Sequence, residues 1–348
     1  SGGGRGDLRV LSSLGANAVR LYGDDPALDH GPFFDEARSE GLSVLAGISD
    51  WPYIQMEGSC QATNFDCYDV IKQQYLDILH SGVLLPNARY HPALQAVILA
   101  NEPDLKFFTG GVSAPMNPVL FCRGVISALD AILGAELEVG VAGPLPNLTA
   151  SFSFGVCGAC AEFGTKAGLG QMAALRLAAR FPTSVGYRPR NDVARAYRER
   201  FFNSLNTANP AADFRSLFLN DYEANFPGVP VFIGEYHSPG VVDQRADLQD
   251  IMDIAANSSS LLTGISFFEY QVRYDKGGSE LLFGMFDLGP TAINSFLLDD
   301  DRYTSWCLEP TKDPRGMGTL PGMVTEVFGG PGVEPDRLCP PPVPVAKK

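Results

Sequence analysis

Two glutamates stand where apolar, β-prone segments of this chain stop. Glu102 follows residues 98–101, and Glu235 follows residues 231–234. A continuous apolar run is typical of a strand that is buried in a parallel sheet. Carboxyl groups at the carboxyl ends of such strands lie on the catalytic face of an α/β barrel. Two carboxylates on that face suit the hydrolysis or transfer of glycosidic bonds, so we interpret Glu102 and Glu235 as a catalytic pair.

Strand and helix patterns alternate along the chain, which predicts a mostly parallel sheet. The α/β pattern indicates a TIM (β/α)8 barrel, formed as a single catalytic domain by residues 7–309. The Gly/Pro-rich residues 310–348 form a C-terminal extension, which we expect to be extended on the surface or disordered. Strands are predicted at 17–22, 42–48, 94–100, 137–142, 201–206, 231–235 and 264–270, and helices at 32–40, 66–80, 118–133, 192–200 and 247–256.

A closed barrel of this type has eight strands, one more than the pattern provides. The first strand is therefore expected to be missing or replaced, because it would precede Asp7, where the sequence is only Ser-Gly-Gly-Gly-Arg-Gly. Either the native N-terminus is trimmed or a non-local segment closes the barrel. Residues 151–190 are harder to assign, and we expect a Gly-rich loop around Cys157 and Cys160 followed by an Ala/Leu/Arg-rich helix.

Composition narrows the class of partner. The net charge is -14, with 40 acidic and 26 basic residues. This charge argues against a nucleic acid or an anionic membrane as the partner. No run of about 18 apolar residues occurs, so we expect no membrane span. Since 45% of the 348 residues are hydrophobic, the chain can build one large core.

The cysteines and sequons favour a secreted, extracellular or cell-wall protein. Seven cysteines are many for a cytosolic enzyme and are typical of disulfides in an exported one. Their odd number leaves one thiol free or available for a disulfide-linked partner. Zinc would require a second matching set of ligands, so neither a metal nor an organic cofactor is expected. The cysteines are 60, 67, 122, 157, 160, 307 and 339, and glycosylation sequons begin at Asn147 and Asn257.

Several motifs resemble, in the same order, those of fungal β-1,3-glucanosyltransferases, glycoside hydrolase family 72. Residues 14–22, LGANAVRLY, are similar to the family's LGxNxxRVY, and residues 25–30 are similar to its DPxxDH. Asn101-Glu102 matches the Asn-Glu pair of the whole clan A of glycoside hydrolases. Residues 231–236 resemble VFFSEYG, and residues 266–270 with 282–284 resemble the family's last strand and loop.

The resemblance implies a retaining enzyme in which Glu102 is the general acid/base and Glu235 the nucleophile. It implies a polysaccharide or oligosaccharide substrate, β-1,3-glucan, which is hydrolysed or transferred. Pro103 replaces the family's Val, and His237 replaces the Gly that follows Glu-Tyr. Because of these departures, a neighbouring family such as the plant-type β-1,3-glucanases, family 17, stays open.

Further residues are candidates for contacts to the substrate. By the resemblance, Asn101 would hydrogen-bond the sugar 2-hydroxyl. Arg20 lies within an apolar strand and must be paired if buried, and Glu235 is its natural partner, although a purely structural ion pair is the alternative. The other substrate-binding candidates, at strand ends or able to stack on a sugar, are Tyr22, Trp51, Tyr53, Tyr236, Phe268, Glu269 and Tyr270.

A non-catalytic function is the second hypothesis. The barrel would then be a wall or extracellular structural protein that binds glycan. The odd number of cysteines, the missing strand and the Pro-rich tail favour this hypothesis, whereas the presence of both glutamates argues against it.

Overall fold

Seven parallel strands form one sheet in chain order, and each is hydrogen-bonded to the next. The computed structural model describes residues 4–109, 116–298, 301–313, 316 and 318–339. This arrangement of strands and surrounding helices is a TIM-type barrel, as predicted. The strands are β1 (Ala18–Arg20), β2 (Ser43–Gly47), β3 (Leu94–Asn101), β4 (Asn147–Phe152), β5 (Asn203–Thr207), β6 (Val231–Tyr236) and β7 (Leu262–Phe267).

Helices alternate with these strands and pack around the sheet. An antiparallel hairpin, β8 (Phe286–Leu298) with β9 (Asp301–Pro310), follows the last parallel strand. The helices in the described residues are α1 (Asp7–Ser13), α2 (Gly31–Ser39), α3 (Tyr68–Ile78), α4 (Pro103–Lys106), α5 (Pro118–Val139), α6 (Leu169–Arg180), α7 (Val193–Arg200), α8 (Ala211–Phe214), α9 (Asn220–Asn225), α10 (Gln244–Ala256), α11 (Leu320–Phe328) and α12 (Pro335–Leu338). Short 3₁₀ or π turns span Trp51–Gln55, Cys60–Thr63, Leu79–Val83, Pro182–Val185, Arg215–Leu219 and Gly278–Leu282.

The side chains of β3 show how the core is divided. Successive residues of a strand point to opposite faces of the sheet. Ala96 and Ile98 join a small apolar cluster with Leu45, whereas Val97 and Leu99 join the larger core. A strand buried on both faces has to be apolar throughout, which explains why β3 was recognisable in the sequence.

The seven strands leave a seam between β1 and β7. In the part of the chain that the structure describes, β1 is paired with β2 and β7 with β6. A cavity of about 1220 Å³ extends along this seam, lined by both strands and by α1, α10 and α11. The number of strands agrees with the sequence pattern, and the absence of a first strand stays a prediction.

The predicted strand at 137–142 is wrong. Helix α5 continues through this segment to Val139, and Gly140 ends it in the left-handed conformation with φ 72°. The next strand, β4, lies at Asn147–Phe152, and the Ala/Leu/Arg-rich helix expected within residues 151–190 is α6, Leu169–Arg180. A short apolar run does not separate a strand from the end of a helix by periodicity alone.

The chain after Pro310 is more ordered than expected. Helix α11 buries Leu320, Met323 and Val324 and packs on α10. A disulfide joins Cys307 on β9 to Cys339. The expectation of an extended or disordered tail is therefore wrong for residues 320–328, while the domain boundary at 309/310 stays a prediction.

Helix α5 has the length and apolarity of a membrane-crossing helix. Within the described residues it is the one helix with these properties, and 72% of its most apolar stretch of 18 residues is buried inside the protein. That burial is typical of a core helix.

Candidate active site

Glu102 and Glu235 both lie at the carboxyl end of the sheet. Glu102 follows β3 with a left-handed backbone (φ 53°, ψ 51°), and its N–H donates to the Ser151 carbonyl on β4 at 2.7 Å. Non-glycine residues rarely adopt this conformation, and when they do they are often found at functional sites. Glu235 lies within β6, one residue before the strand ends. Strands β4 and β5 separate the two glutamates within the sheet.

Arg20 joins the two halves of the site. Its guanidinium donates to Asn101 Oδ1 at 2.6 Å through Nη2, and Nη1 lies 3.4 Å from Glu235 Oε1. The Arg20 side chain is 3% exposed, so it is a buried cation whose charge requires a partner. The pairing of Arg20 with Glu235 that the sequence predicted is confirmed.

Gly234 makes room for this arginine. A Cβ at position 234 would lie 2.7 Å from Arg20 Nη1 and 2.6 Å from Ser151 Oγ. Any side chain at position 234 would push the Arg20 guanidinium away from Glu235. The glycine immediately before Glu235 is therefore part of the site because it has no side chain.

Asn206, near the end of β5, connects Glu102 with the Arg20 that contacts Glu235, and it was not predicted. Its Oδ1 accepts from Arg20 Nη1 at 3.2 Å, and its Nδ2 donates to Asn101 Oδ1 at 2.9 Å and to Glu102 Oε1 at 3.3 Å. The sequence contained a signal for it, since Asn206 is an amide at the end of a predicted strand, as Asn101 is. The strand β5 itself was predicted, but its polar end was not considered.

Tyr22 supplies a second donor to Glu235. Its hydroxyl donates to Glu235 Oε1 at 2.8 Å, and the Arg20 guanidinium lies 4.5 Å from the centre of its ring. At 43% exposure, Tyr22 faces the open side of the site. Two donors on one oxygen fix the orientation of the Glu235 carboxylate.

The surroundings of Glu102 favour its protonated form. Burial, and next the negative charge of Glu235, raise the pKa of Glu102 above its ordinary value. The hydrogen bond from Asn206 and the nearby Lys106 act in the opposite direction. Two carboxyl groups whose environments differ in this way can divide acid and nucleophile roles.

Glu269 is a third acid on this side of the barrel. It follows β7, and Phe268 is joined to it by a cis peptide bond. Its buried Oε1 has no hydrogen-bond partner among the described residues, and burial raises the pKa of Glu269 to about 7. Arg273, a possible partner of Glu269 in the sequence, forms its ion pair with Asp275 at 2.7 Å.

The aromatic candidates separate into exposed and buried groups. Trp51 is 54% exposed on the loop after β2 and is available for stacking on a sugar. Tyr53 is fully buried and donates to the Leu99 carbonyl at 2.5 Å, so it is a packing residue. Phe268 packs edge-to-face against Tyr22, with the centres of the two rings 6.4 Å apart.

Tyr236 was wrongly expected to bind substrate, whereas the role expected for Tyr270 stays a prediction. Tyr236 is 1% exposed, and its hydroxyl donates to Asp247 on helix α10 at 2.6 Å. Side chains alternate along a strand, so the residue after the inward-facing Glu235 points to the outer helices. The hydroxyl of Tyr270 donates to Asp7 at 3.1 Å and fastens α1 to the end of the sheet.

Comparison with known proteins supports the fold. No protein-family model and no curated protein sequence matches the chain. Saccharomyces cerevisiae Gas2p, a family 72 glucanosyltransferase solved in complex with laminaritetraose and laminaripentaose, is similar with a TM-score of 0.52 at 14% identity, covering 94% of this chain and 58% of that chain. Gas2 in complex with compound 10 gives a TM-score of 0.55 at 15% identity, covering 97% of this chain and 63% of that chain.

A second group of similar structures comes from outside that family. The β-glucosidase from Thermotoga maritima in complex with noeuromycin has a TM-score of 0.57 at 13% identity, covering 94% of this chain and 86% of that chain. The chain thus spans less than two thirds of the Gas2 chains and most of the β-glucosidase. These similarities establish the barrel fold.

Proposed function

We propose that this protein is a retaining glycosidase or transglycosidase that acts on β-glucan, with β-1,3-glucan as the favoured substrate. The observation that carries the proposal is that the two glutamates at the carboxyl end of the sheet have different surroundings. Arg20 and Tyr22 both contact one oxygen of Glu235, while burial and the Glu235 charge raise the pKa of Glu102 and so favour its protonated form. A retaining mechanism needs one carboxylate and one carboxylic acid on the same cleft.

In the first step, a Glu235 oxygen attacks the anomeric carbon as the bond to the leaving oxygen breaks. Glu102 gives its proton to that oxygen, and a covalent glycosyl-enzyme forms. In the second step, Glu102 accepts a proton from water or from a sugar hydroxyl, which attacks the same carbon and releases Glu235. Water gives hydrolysis, and a sugar hydroxyl gives transfer.

Asn101, held in place by Arg20, is the residue we assign to the sugar bound between the two glutamates. Asn101 Oδ1 accepts hydrogen bonds from both Arg20 and Asn206. These two bonds fix the orientation of the amide group and therefore of its Nδ2. We assign this Nδ2 to the sugar 2-hydroxyl, a contact that strengthens in the transition state. Trp51, Tyr22 and Glu269 are the residues we assign to further sugar contacts.

The choice of β-1,3-glucan is supported by the sequence motifs and by the laminari-oligosaccharides in the Gas2p complex. The disulfides Cys157–Cys160 and Cys307–Cys339 support an exported protein, because such bonds persist in oxidising compartments. A secreted or cell-wall location is therefore part of the proposal.

The proposal is tested by analysing the products formed from reduced laminari-oligosaccharides. Wild type, Glu235→Gln and the control Glu138→Gln are compared, because Glu138 is an exposed acid on helix α5. Products longer than the substrate that disappear only in Glu235→Gln would establish a transferase that uses Glu235. Shorter products alone, with the same dependence, would establish a hydrolase.

Failure of wild type to act on these or other β-glucans would reject the enzymatic proposal. Retained binding of the same oligosaccharides would then favour the non-catalytic glycan-binding hypothesis. Activity that survives in Glu235→Gln would show that a different residue is the nucleophile.

A further inference from the structure

Two buried thiols lie side by side in residues 60–67, after the loop that carries Trp51. Cys60, at the start of a 3₁₀ turn, and Cys67, just before helix α3, are both unpaired and completely buried. Their thiols are within hydrogen-bonding reach of each other, and Cys67 Sγ also contacts the Phe65 carbonyl at 3.7 Å. Neither thiol has a part in the glycosidase chemistry described above.

We propose that Cys60 and Cys67 form a third disulfide, which closes the loop between them. The two thiols lose two protons and two electrons, and a sulfur–sulfur bond forms. The oxidant is the disulfide of a thiol oxidoreductase, which is reduced to its dithiol. This inference is independent of the proposed function, because it needs only the oxidising conditions in which the other two disulfides form.

The loop between the two cysteines has a conformation that a covalent closure would maintain. Asn64 and Phe65 are both left-handed, with φ 53° and 63°, although neither is glycine. Such residues cost free energy in this region and persist where their surroundings hold them. The Phe65 N–H donates to the Cys60 carbonyl at 2.8 Å, so the chain already turns back to bring the cysteines together.

Burial of the pair has a kinetic consequence. Burial raises the pKa of the Cys67 thiol, so the thiolate that attacks a disulfide is disfavoured once the loop is packed. The bond therefore forms while the loop is still open, during folding. Once formed, it is shielded from reductants in solution.

The remaining cysteine accounts for the odd number in the sequence. Cys122, on helix α5, is buried, and burial alone raises the pKa of its thiol, with no neighbouring thiol contributing. Once Cys60 and Cys67 are joined, Cys122 is the single free thiol. Its burial argues against the disulfide-linked partner that the odd number had suggested.

The closed loop supports the wall of the site. Phe65 stacks on Phe107 at 4.6 Å, and Phe107 contacts Tyr53 at 4.9 Å. Tyr53 donates to the Leu99 carbonyl, three residues before Glu102. The disulfide would thus fasten the base of the loop that carries Trp51 to the strand that presents the acid.

The test uses full-length protein secreted by a host with an oxidising export pathway. The protein is unfolded in guanidinium without reductant and alkylated with iodoacetamide, and its intact mass is measured. One adduct is expected, on Cys122, and a proteolytic map should contain a peptide linked through Cys60 and Cys67. Adducts on Cys60 and Cys67 would overturn the proposal, and so would a bond from either residue to Cys122.

Two variants make the result specific. Cys122→Ser should acquire no adduct, whereas Cys60→Ser should acquire one on Cys67 and one on Cys122. If Cys60→Ser does not fold, the map of wild type and Cys122→Ser still decides the pairing. Because the readout is covalent, it succeeds or fails separately from any measurement of glycosidase activity.

Discussion

Glu136 and Glu235 are both partly enclosed carboxylates that face an arginine, but their contacts differ. Glu136, on α5, receives two guanidinium nitrogens of Arg200 at 2.7 and 2.8 Å and the Tyr90 hydroxyl at 2.7 Å. Glu235 receives one nitrogen of Arg20 at 3.4 Å and the Tyr22 hydroxyl. The side chain of Glu136 is 7% exposed and that of Glu235 is 18% exposed.

A second pair of acids shows the same contrast. Asp130 is fully buried and accepts from the backbone N–H of Arg190, the backbone and side chain of Asn191 and the Tyr187 hydroxyl. Within the part of the chain that the structure describes, the Glu102 carboxyl accepts one hydrogen bond, from Asn206 at 3.3 Å. The acids between helices have fully occupied oxygens and stabilise the fold, whereas those at strand ends keep an oxygen available for chemistry. Four predictions test this distinction.

The largest effect is expected for Glu102→Gln. Removing the general acid should lower kcat/KM on laminari-oligosaccharides about 10²–10⁴-fold. The protonated acid is the active form and its pKa is raised, so wild-type activity should fall as the pH rises above the ordinary range of a carboxyl group. The variant should lose this fall in activity at high pH, which is the basic limb of the pH profile. It should be least impaired on aryl glucosides with an acidic leaving group, because such a group departs without a proton from a general acid.

The matched control for that prediction is Asp130→Asn, which should destabilise the protein without changing the pH profile of the folded fraction. An unchanged basic limb in Glu102→Gln would assign the acid role to another residue.

Breaking the helix-side pair should affect stability instead. Arg200→Met leaves Glu136 buried without its cation, and we expect a loss of about 3–5 kcal/mol in the free energy of unfolding. Replacing both partners, as in Glu136→Leu with Arg200→Met, should recover most of it, because no uncompensated charge remains. Urea unfolding followed by circular dichroism measures both, and an equally unstable double variant would contradict this account.

Arg20→Lys is expected to have an intermediate effect. Lysine keeps the charge but lacks the fork that contacts Asn101, Asn206 and Glu235 together. Loss of a hydrogen bond to a charged group is worth about 1.5–3 kcal/mol, so kcat/KM should fall about tenfold to a hundredfold. A fall in the urea midpoint without a change in kcat/KM would show that Arg20 is structural.

The smallest effect concerns Glu269 and depends on pH. Its pKa of about 7 lies above the ordinary value of 4.5, so the folded protein binds this proton more tightly than the unfolded chain does. The resulting stabilisation is present at low pH and is lost as the pH rises from about 4.5 through about 7.

Glu269→Gln is neutral at every pH and should avoid that loss. We expect a gain of about 1 kcal/mol in unfolding free energy at pH 8, after discounting for solvent screening, and none at pH 4. Urea unfolding at the two pH values measures the difference. An equal gain at both would attribute it to packing.

The sequence revealed those parts of the barrel whose physics is local. Strands β3 and β6 are buried on both faces, so their apolar runs and terminal glutamates were visible without a structure. The pairing of Arg20 with Glu235 followed from the cost of burying an unpaired cation. Contacts that depend on register across several strands, such as those of Asn206, could not be obtained in this way.

The errors have the same origin. Tyr236 was assigned to the site because it ends a strand, although the alternation of side chains turns it toward Asp247. The strand expected at 137–142 was the end of α5, where an apolar helix and an apolar strand look alike in sequence. Both questions were decided by tertiary packing.

The seam between β1 and β7 has a mechanical consequence for the site. Glu102 and Glu235 belong to β3 and β6, which are connected through β4 and β5 by an uninterrupted series of hydrogen-bonded strands. Arg20 lies in β1 and Glu269 follows β7, and among the described residues these two strands are not hydrogen-bonded to each other. Opening and closing of the seam would therefore leave the spacing of the two reacting groups nearly constant. It would instead move Arg20 and Glu269 relative to them, so a movement at the seam would change the charge around the two glutamates more than the distance between them.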